Sequence, residues 1–315
     1  MESRPVKMGR PAPLFGISVA PWARNADQIV SLARVADELG LDLIGIQDHP
    51  YNAGFLDTWT LLSLLGGMTR HIRLLPDVAN LPLRPPAMLA RAAASLDILT
   101  AGRVELGLGA GGFWDAIVSY GGPQRTPGEA VAALEEAIYV IRLLWQPAAQ
   151  GETVSFDGRF YQLHGAQPGP APVHPIGIWI GALGPKMLDL VGRLAGGWIP
   201  SMPHVPPAAL PAAQDRIDAA ALRAGRKPED IRRAYNIGGV VQGVGEAPAV
   251  ARRQGILIGR PAQWIEQLAR FYTELRQDTF IFWPAGQEPR RQIRLFAEEV
   301  VPGVRAAIGD RNSGA

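Results

Sequence analysis

The chain has 315 residues, is 47% hydrophobic and 19% charged, and balances 31 Lys and Arg against 29 Asp and Glu for a formal net charge of +2. Dispersed, nearly balanced charge argues against a nucleic-acid surface, and zero cysteines exclude a disulfide framework and thiol chemistry. No uninterrupted apolar run of about 20 residues is available to span a bilayer, and MESRPVKMGRPAP lacks the apolar core of a signal peptide, so a soluble, cytoplasmic protein is expected.

Leu14 to Pro21 reads as a strand, and Asp27 to Leu39 as an amphipathic helix with Ile29, Leu32, Ala33, Ala36 and Leu39 on one face and Gly40 at its end. Leu43 to Gln47 and Thr58 to Met68 repeat the pattern, as do Ile72 to Val78 and the helix that follows it. Pro85 and Pro86 suit the first turn of that helix, where a missing N–H costs nothing; it continues through Leu89, Ala93, Leu96 and Leu99, and Gly102 fits a left-handed stop. Val104 to Gly109 is the fourth strand. Strand starts therefore recur at roughly 30 residues, the length of a βαβ unit, and helical crossovers imply parallel pairing.

Glu129 to Trp145 reads as helix four, with Val131, Leu134, Ile138, Ile141 and Trp145 at helical spacing. Thr153 to Phe156 and Phe160 to Leu163 flank Asp157-Gly158, a hairpin signal, followed by a Pro/Gly-rich connection. Strands at Ile176 to Ile180, Gly197 to Pro200, Ala234 to Val241 and Thr279 to Trp283 then alternate with helices at Lys186 to Leu194, Pro207 to Ala224, Pro261 to Leu275 and Glu288 to Val300. The fold class is α/β: a (β/α)8 TIM barrel with a short hairpin insertion between helix four and strand five. The expected organisation is an N-terminal extension at 1–13, the barrel at 14–305 and a C-terminal tail at 306–315, with Asp310 to Ala315 disordered.

In such a barrel the chemistry sits at the C-terminal ends of the strands. Read in order, those ends carry Pro21-Trp22, Asp48-His49, Ala79-Asn80, Gly109 to Gly112, Gly181 to Gly184, Ser201 to His204, Gln242 and Trp283. The rim is small, aromatic and sparsely charged, without paired glycosidase carboxylates or a metal-binding cluster, which suits a large, flat, mostly uncharged ligand. Free N–H groups after Gly181, Ala182, Leu183 and Gly184, at the start of the next helix, form an anion site to which Lys186 can add charge. No strand-end lysine supports the Schiff base of a barrel aldolase. His71 and His174 precede strands, on the stability face, and read as structural.

The first strand, Asp48-His49, the run LPLRPPAMLARAAASLDILTAGRVELGLGAG and IGALGPKMLDLVGRLAGGW together resemble the bacterial luciferase-like superfamily over residues 14 to 305. The resemblance implies a (β/α)8 oxidoreductase that uses either coenzyme F-420 for hydride transfer or reduced FMN with oxygen. Asp48-His49 looks closer to the deazaflavin members, with His49 as proton partner, Asp48 orienting it, and a small carbonyl, imine or alcohol as substrate. Relatives often carry a non-prolyl cis peptide behind the cofactor ring, here at Asp77-Val78 or Val78-Ala79, next to Val78, Ala79 and Asn80 as cofactor contacts. Gly109, Ala110 and Gly111 are expected along the cofactor, and Gly181, Ala182, Leu183 and Gly184 at its phosphate. Trp22, Tyr51, Phe113, Trp114, His204 and Trp283 are the candidate substrate pocket. Sugar-phosphate dehydrogenases of the deazaflavin branch have Glu where Gly112 aligns, so their proton relay is not expected. The resemblance also implies a homodimer through helices two and three, where Leu61, Leu62, Leu64 and Leu65 offer apolar surface, and a separate flavin or F-420 reductase as partner. A non-catalytic flavin-binding relative is the second alternative.

Overall fold

The computed structural model describes residues 11–149, 151–243, 255–286 and 288–313. The first half follows the expected alternation closely: β1 (Leu14–Val19), α1 (Ala26–Glu38), β2 (Leu43–Ile46), α2 (Thr58–Met68), β3 (Arg73–Pro76), β4 (Ala79–Asn80), α3 (Pro86–Leu99) and β5 (Leu106–Gly109). A short helix α4 (Trp114–Ser119) precedes α5 (Pro127–Leu144), and the hairpin β6 (Val154–Asp157) and β7 (Gln162–Ala166) leads into β8 (Ile178–Ile180). The chain continues through α6 (Pro185–Leu194), β9 (Gly197–Trp198), α7 (Leu210–Arg223), β10 (Arg232–Val241), β11 (Ile256–Gly259), α8 (Pro261–Thr273) and β12 (Thr279–Pro284). Helices α9 (Pro289–Leu295) and α10 (Val301–Ser313) are joined by a π-helical turn at Phe296–Val300.

All barrel pairings are parallel, in the order β3, β2, β1, β12, β10, β9, β8, β5, β4. Since β4 continues β3, this is a ring of eight strand positions. It closes where Leu74 N–H donates to Arg103 O at 2.7 Å and Glu105 N–H donates to Leu74 O at 3.0 Å. Leu43, Leu75, Trp179, Ile199, Ala234 and Ile281 fill the barrel, as the layered interior of this fold requires. The larger core lies between sheet and helices, with Phe15, Trp264, Phe280, Phe282 and Phe296 packed edge to face or stacked under α8 and α9.

Four features differ from the sequence-based expectation. The hairpin turn holds four residues, Gly158 to Tyr161, because the Glu136 carboxylate on α5 accepts the N–H groups of Arg159, Phe160 and Tyr161 and holds a wider loop than Asp-Gly alone would give. Helix α4 and strand β11, which pairs parallel to the long β10, are additional. Pro207 to Ala209 form a separate 3-10 turn before α7. Finally, α10 runs to Ser313, over most of the segment expected as a tail, because Val304 and Ile308 are buried against the core.

At the bottom of the barrel the fully buried Asp97 of α3 ties three segments together. Its carboxylate accepts the N–H groups of Val104, Val173 and His174 at 3.3, 2.9 and 3.3 Å, and His174 Nδ1 lies 2.6 Å from Oδ1, in keeping with a structural His174. Removing a buried carboxylate strands its donors, so Asp97→Ala is expected to lower stability by about 3–5 kcal/mol. Denaturant unfolding checks this; a loss below about 1 kcal/mol would contradict the clasp.

Candidate active site

A cavity of about 680 Å³ opens at the C-terminal ends of the strands, within the size range of small-molecule sites. Asp48 and His49 enter from the end of β2, Val78 to Asn80 from the β3–β4 strand, Gly109 to Trp114 from β5 and its loop, and Gly181, Leu183 and Gly184 from the end of β8. The first turns of α5 and α6 complete the wall.

Val78 is the back of this cavity. The peptide bond before it, Asp77-Val78, is cis, which settles the choice left open between two bonds. A Cβ on Gly109 would lie 2.7 Å from Val78 Cγ2, one on Gly107 3.1 Å from Cγ1 and 2.2 Å from Pro76 O, and one on Gly181 3.3 Å from Cγ2. These glycines are thus needed first to admit Val78, whereas Gly111 is fixed by its φ of +102°.

Beneath Val78, Asp77 is enclosed in the barrel. Asn236 Nδ2 donates to its Oδ1 at 3.1 Å, and Ser18 Oγ lies 3.5 Å from Oδ2; Trp283 Nε1 in turn donates to Asn236 Oδ1 at 3.0 Å. Burial pushes the Asp77 carboxyl up to about 6, against the opposing pull of Asn236 and Ser18.

Asp48 is buried and receives Arg84 in a two-point contact, Nε to Oδ2 at 2.6 Å and Nη2 to Oδ1 at 2.7 Å, together with the Asn80 N–H at 2.8 Å. Arg84 Nη2 also donates to Asp57 Oδ2 at 2.6 Å, and Asp57 caps α2 through Thr60 N–H. The expected pairing of Asp48 with His49 is therefore corrected: the guanidinium fork and a main-chain N–H take up the Asp48 carboxylate, which braces the β4 end of the cavity.

His49 Nδ1 instead lies 2.7 Å from Tyr51 Oη. Phe113 stands edge-on to the imidazole at 5.7 Å, with Tyr51 and Phe55 at 5.5 and 6.4 Å from it. Burial holds His49 below its ordinary 6.5, the negative Asp48 working in the opposite direction, while burial and then Asp48 push Tyr51 up to about 12. At neutral pH both groups are uncharged.

Of the expected site residues, Asp48, His49, Val78, Ala79, Asn80, Gly109, Ala110, Gly111, Phe113, Trp114, Gly181, Leu183 and Gly184 line the cavity together. Ala182 is buried behind it, its carbonyl accepting from Trp198 Nε1. Tyr51 stands behind His49. Trp22 packs on Phe55, His204 lines a separate hollow of about 290 Å³ with Leu183 and Pro185, and Trp283 holds Asn236; none of the three is on the main cavity wall. Sequence reasoning missed Arg84 and Asn236. A signal for Arg84 existed, since a buried strand-end carboxylate requires a cation and LPLRPP supplies one nearby.

The site also has the features a flat, phosphate-bearing cofactor needs. Asn80 Oδ1 is buried on the cavity wall without a partner among the described residues. Helix α6 begins with Gly184 as an uncapped N-cap, leaving its first N–H groups for a ligand, whereas α5 is closed by the Thr126–Glu129 capping box. Among the described residues no cluster of three or more His, Asp or Glu could hold a metal, and no helix is long and apolar enough to cross a membrane.

The fold is a parallel (β/α)8 barrel with a glycine-lined cavity at its strand ends, and comparison with known proteins gives its family. The family model for luciferase-like monooxygenases matches residues 14–290. The chain belongs to that family, whose members are flavin- or F-420-dependent oxidoreductases and monooxygenases. It is 32% identical over 212 residues to 5,10-methylenetetrahydromethanopterin reductase of Archaeoglobus fulgidus, covering 67% of this chain and 59% of that protein. It is 26% identical to an F-420-dependent glucose-6-phosphate dehydrogenase of Nakamurella multipartita, covering 95% and 99%. Among solved structures, an F-420-dependent secondary alcohol dehydrogenase in complex with an F-420-acetone adduct superposes with a TM-score of 0.81 at 19% identity, covering 93% and 99%. Monooxygenase RslO1 from Streptomyces bottropensis superposes at 0.78 and 22%, covering 92% and 99%. At these identities the structural matches speak for the fold.

Asp77 supplies a test of the cavity floor. Its folded pKa of about 6 lies above the 3.8 of a free carboxyl, so the folded state carries an unfavourable buried charge above pH 6 that is relieved as pH falls through 6. Asp77→Asn is therefore expected to stabilise the protein more at pH 8 than at pH 5. An equal effect at both values, by denaturant titration, would contradict an ionised Asp77 in the floor.

Proposed function

We propose that this chain transfers a hydride between coenzyme F-420 and a small carbonyl, imine or alcohol substrate. The observation that carries this reading is His49: an uncharged imidazole on the cavity wall, with Nδ1 held by Tyr51 and Nε2 left without a protein partner among the described residues. Such a group is what proton transfer at the substrate oxygen or nitrogen requires. The similarity to two proteins whose names specify methanopterin reduction and F-420-dependent dehydrogenation supports the deazaflavin over FMN. The chain spans only 59% of the first of these, so its substrate is not carried over.

Val78, Asn80, Gly109 to Gly111 and the Gly181 to Gly184 loop would hold the cofactor, with the phosphate at the start of α6. When bound, F-420 supplies the hydride chemistry. His49 moves the proton, Arg84 and Asp48 fix the strand end that presents Asn80, and Phe113 and Trp114 exclude water at the mouth. A homodimer belongs to the same reading. Leu61, Leu62 and Leu65 are committed to the core, but Leu64 and Met68 of α2 and Ile98 and Leu99 of α3 remain exposed. A separate flavin or F-420 reductase, as the source of reduced cofactor, belongs to this reading as well.

Anaerobic titration with F-420, FMN and reduced FMN tests the cofactor. Tight F-420 binding is expected; tight binding of reduced FMN alone, with oxygen uptake, would overturn the proposal. His49→Ala should leave cofactor affinity nearly unchanged and lower turnover by roughly 10²–10⁴.

A further inference from the structure

The geometry points to Tyr51 as the positioning residue that sets the tautomer of His49: its hydroxyl donates to Nδ1, which leaves the imidazole proton on Nε2 as a donor to a carbonyl oxygen. Its kinetic consequence rests on the hydride-transfer reading; the tautomer itself does not.

Two nitrogens and one hydroxyl decide the matter. The His49 Nδ1 to Tyr51 Oη separation is 2.7 Å, and no other protein group among the described residues hydrogen-bonds to that hydroxyl. If Nδ1 carried the imidazole proton and donated it, the phenol oxygen, a weaker acceptor than an imidazole nitrogen, would receive it, and the phenolic hydrogen would be left to solvent. With the hydroxyl donating, both groups are satisfied, and Nε2 carries the remaining proton. The phenol keeps its hydrogen across the neutral range, being pushed up to about 12 by burial and by the negative Asp48. Asp48 cannot fix the opposite tautomer, because Arg84 and the Asn80 N–H occupy its oxygens. Phe113, 6.1 Å from the Tyr51 ring and 5.7 Å from the imidazole, confines both rings.

The consequence for chemistry is a neutral donor that also has a proton source behind it. With a bound deazaflavin supplying the hydride, the carbonyl oxygen would take the Nε2 proton, Nδ1 the Tyr51 hydroxyl proton, and the phenolate would regain a proton from water. The transfer runs downhill, since an aliphatic alkoxide is a much stronger base than the Tyr51 phenolate, whose hydroxyl is pushed up only to about 12.

Nitrogen-15 NMR of the imidazole side chains tests this on the full chain without cofactor at pH 7.5. There are five histidines, and the His49 signals are assigned by their loss in His49→Gln. A protonated Nε2 and an unprotonated Nδ1 are expected, and Tyr51→Phe, which keeps the ring, should give a mixture of tautomers. A wild-type spectrum with Nδ1 protonated overturns the inference, as does a Tyr51→Phe spectrum identical to wild type. With F-420 and a neutral ketone, Tyr51→Phe should lower kcat roughly tenfold or more while cofactor affinity stays within twofold. Failure of F-420 to bind while the tautomer pattern holds would remove the proposed function and leave the Tyr51 assignment standing.

Discussion

The site depends on how the third strand loses its β2 neighbour at Asp77 and Val78. Pairing with β2 ends at Pro76, with Asp77 N–H still donating to Ile46 O at 2.7 Å, while pairing on the β5 side, begun at Leu74, continues beyond Val78. The Asn80 N–H has no β2 residue to meet and is taken by the Asp48 carboxylate. A side chain therefore does the work of a strand partner, and it must stay fixed. Arg84 holds it in a two-point contact, and the bond from Arg84 to Asp57 extends the brace to the start of α2. Breaking a buried pair of this kind leaves an uncompensated charge, so the cavity edge is held by electrostatics as much as by packing.

The same switch places Val78 against three glycines drawn from two strands. Gly107 and Gly109 share β5, and Gly181 follows β8 far along the chain, yet each leaves room for one isopropyl group. Val78 in turn covers Asp77, which with Asn236, Ser18 and Trp283 forms a polar layer inside an otherwise apolar barrel. The floor, the back wall and the brace are thus one connected structure. Alteration in any of them moves the surface on which a cofactor rests, and the His49–Tyr51 pair stands next to that surface.

Much of this was legible in the chain. The helix from Thr58 to Met68 has the expected bounds, and most other elements begin or end within a few residues of expectation, because apolar spacing, Pro at helix starts and Gly at helix ends act locally. The strand-end rule brought together thirteen of the residues singled out from sequence. It failed for Trp22, His204 and Trp283, since being near a strand end does not say which way an aromatic turns or which neighbour it packs against. It also misjudged the hairpin loop, where a distant Glu136 outweighed the local Asp-Gly preference.

By itself, then, the sequence determined the repeat, the parallel barrel, the glycine positions and the presence of an acid-histidine pair at the end of strand two, all of which follow from short-range pattern and backbone preference. Tertiary structure alone decided the partners. Asp48 is bound by an arginine 36 residues away, Asp77 meets an asparagine 159 residues away, and His49 is left to a tyrosine two residues on. Such choices depend on which polar groups burial brings within hydrogen-bonding distance. No periodicity in the chain encodes that, because each buried group must be satisfied by whatever donor or acceptor the closed barrel presents.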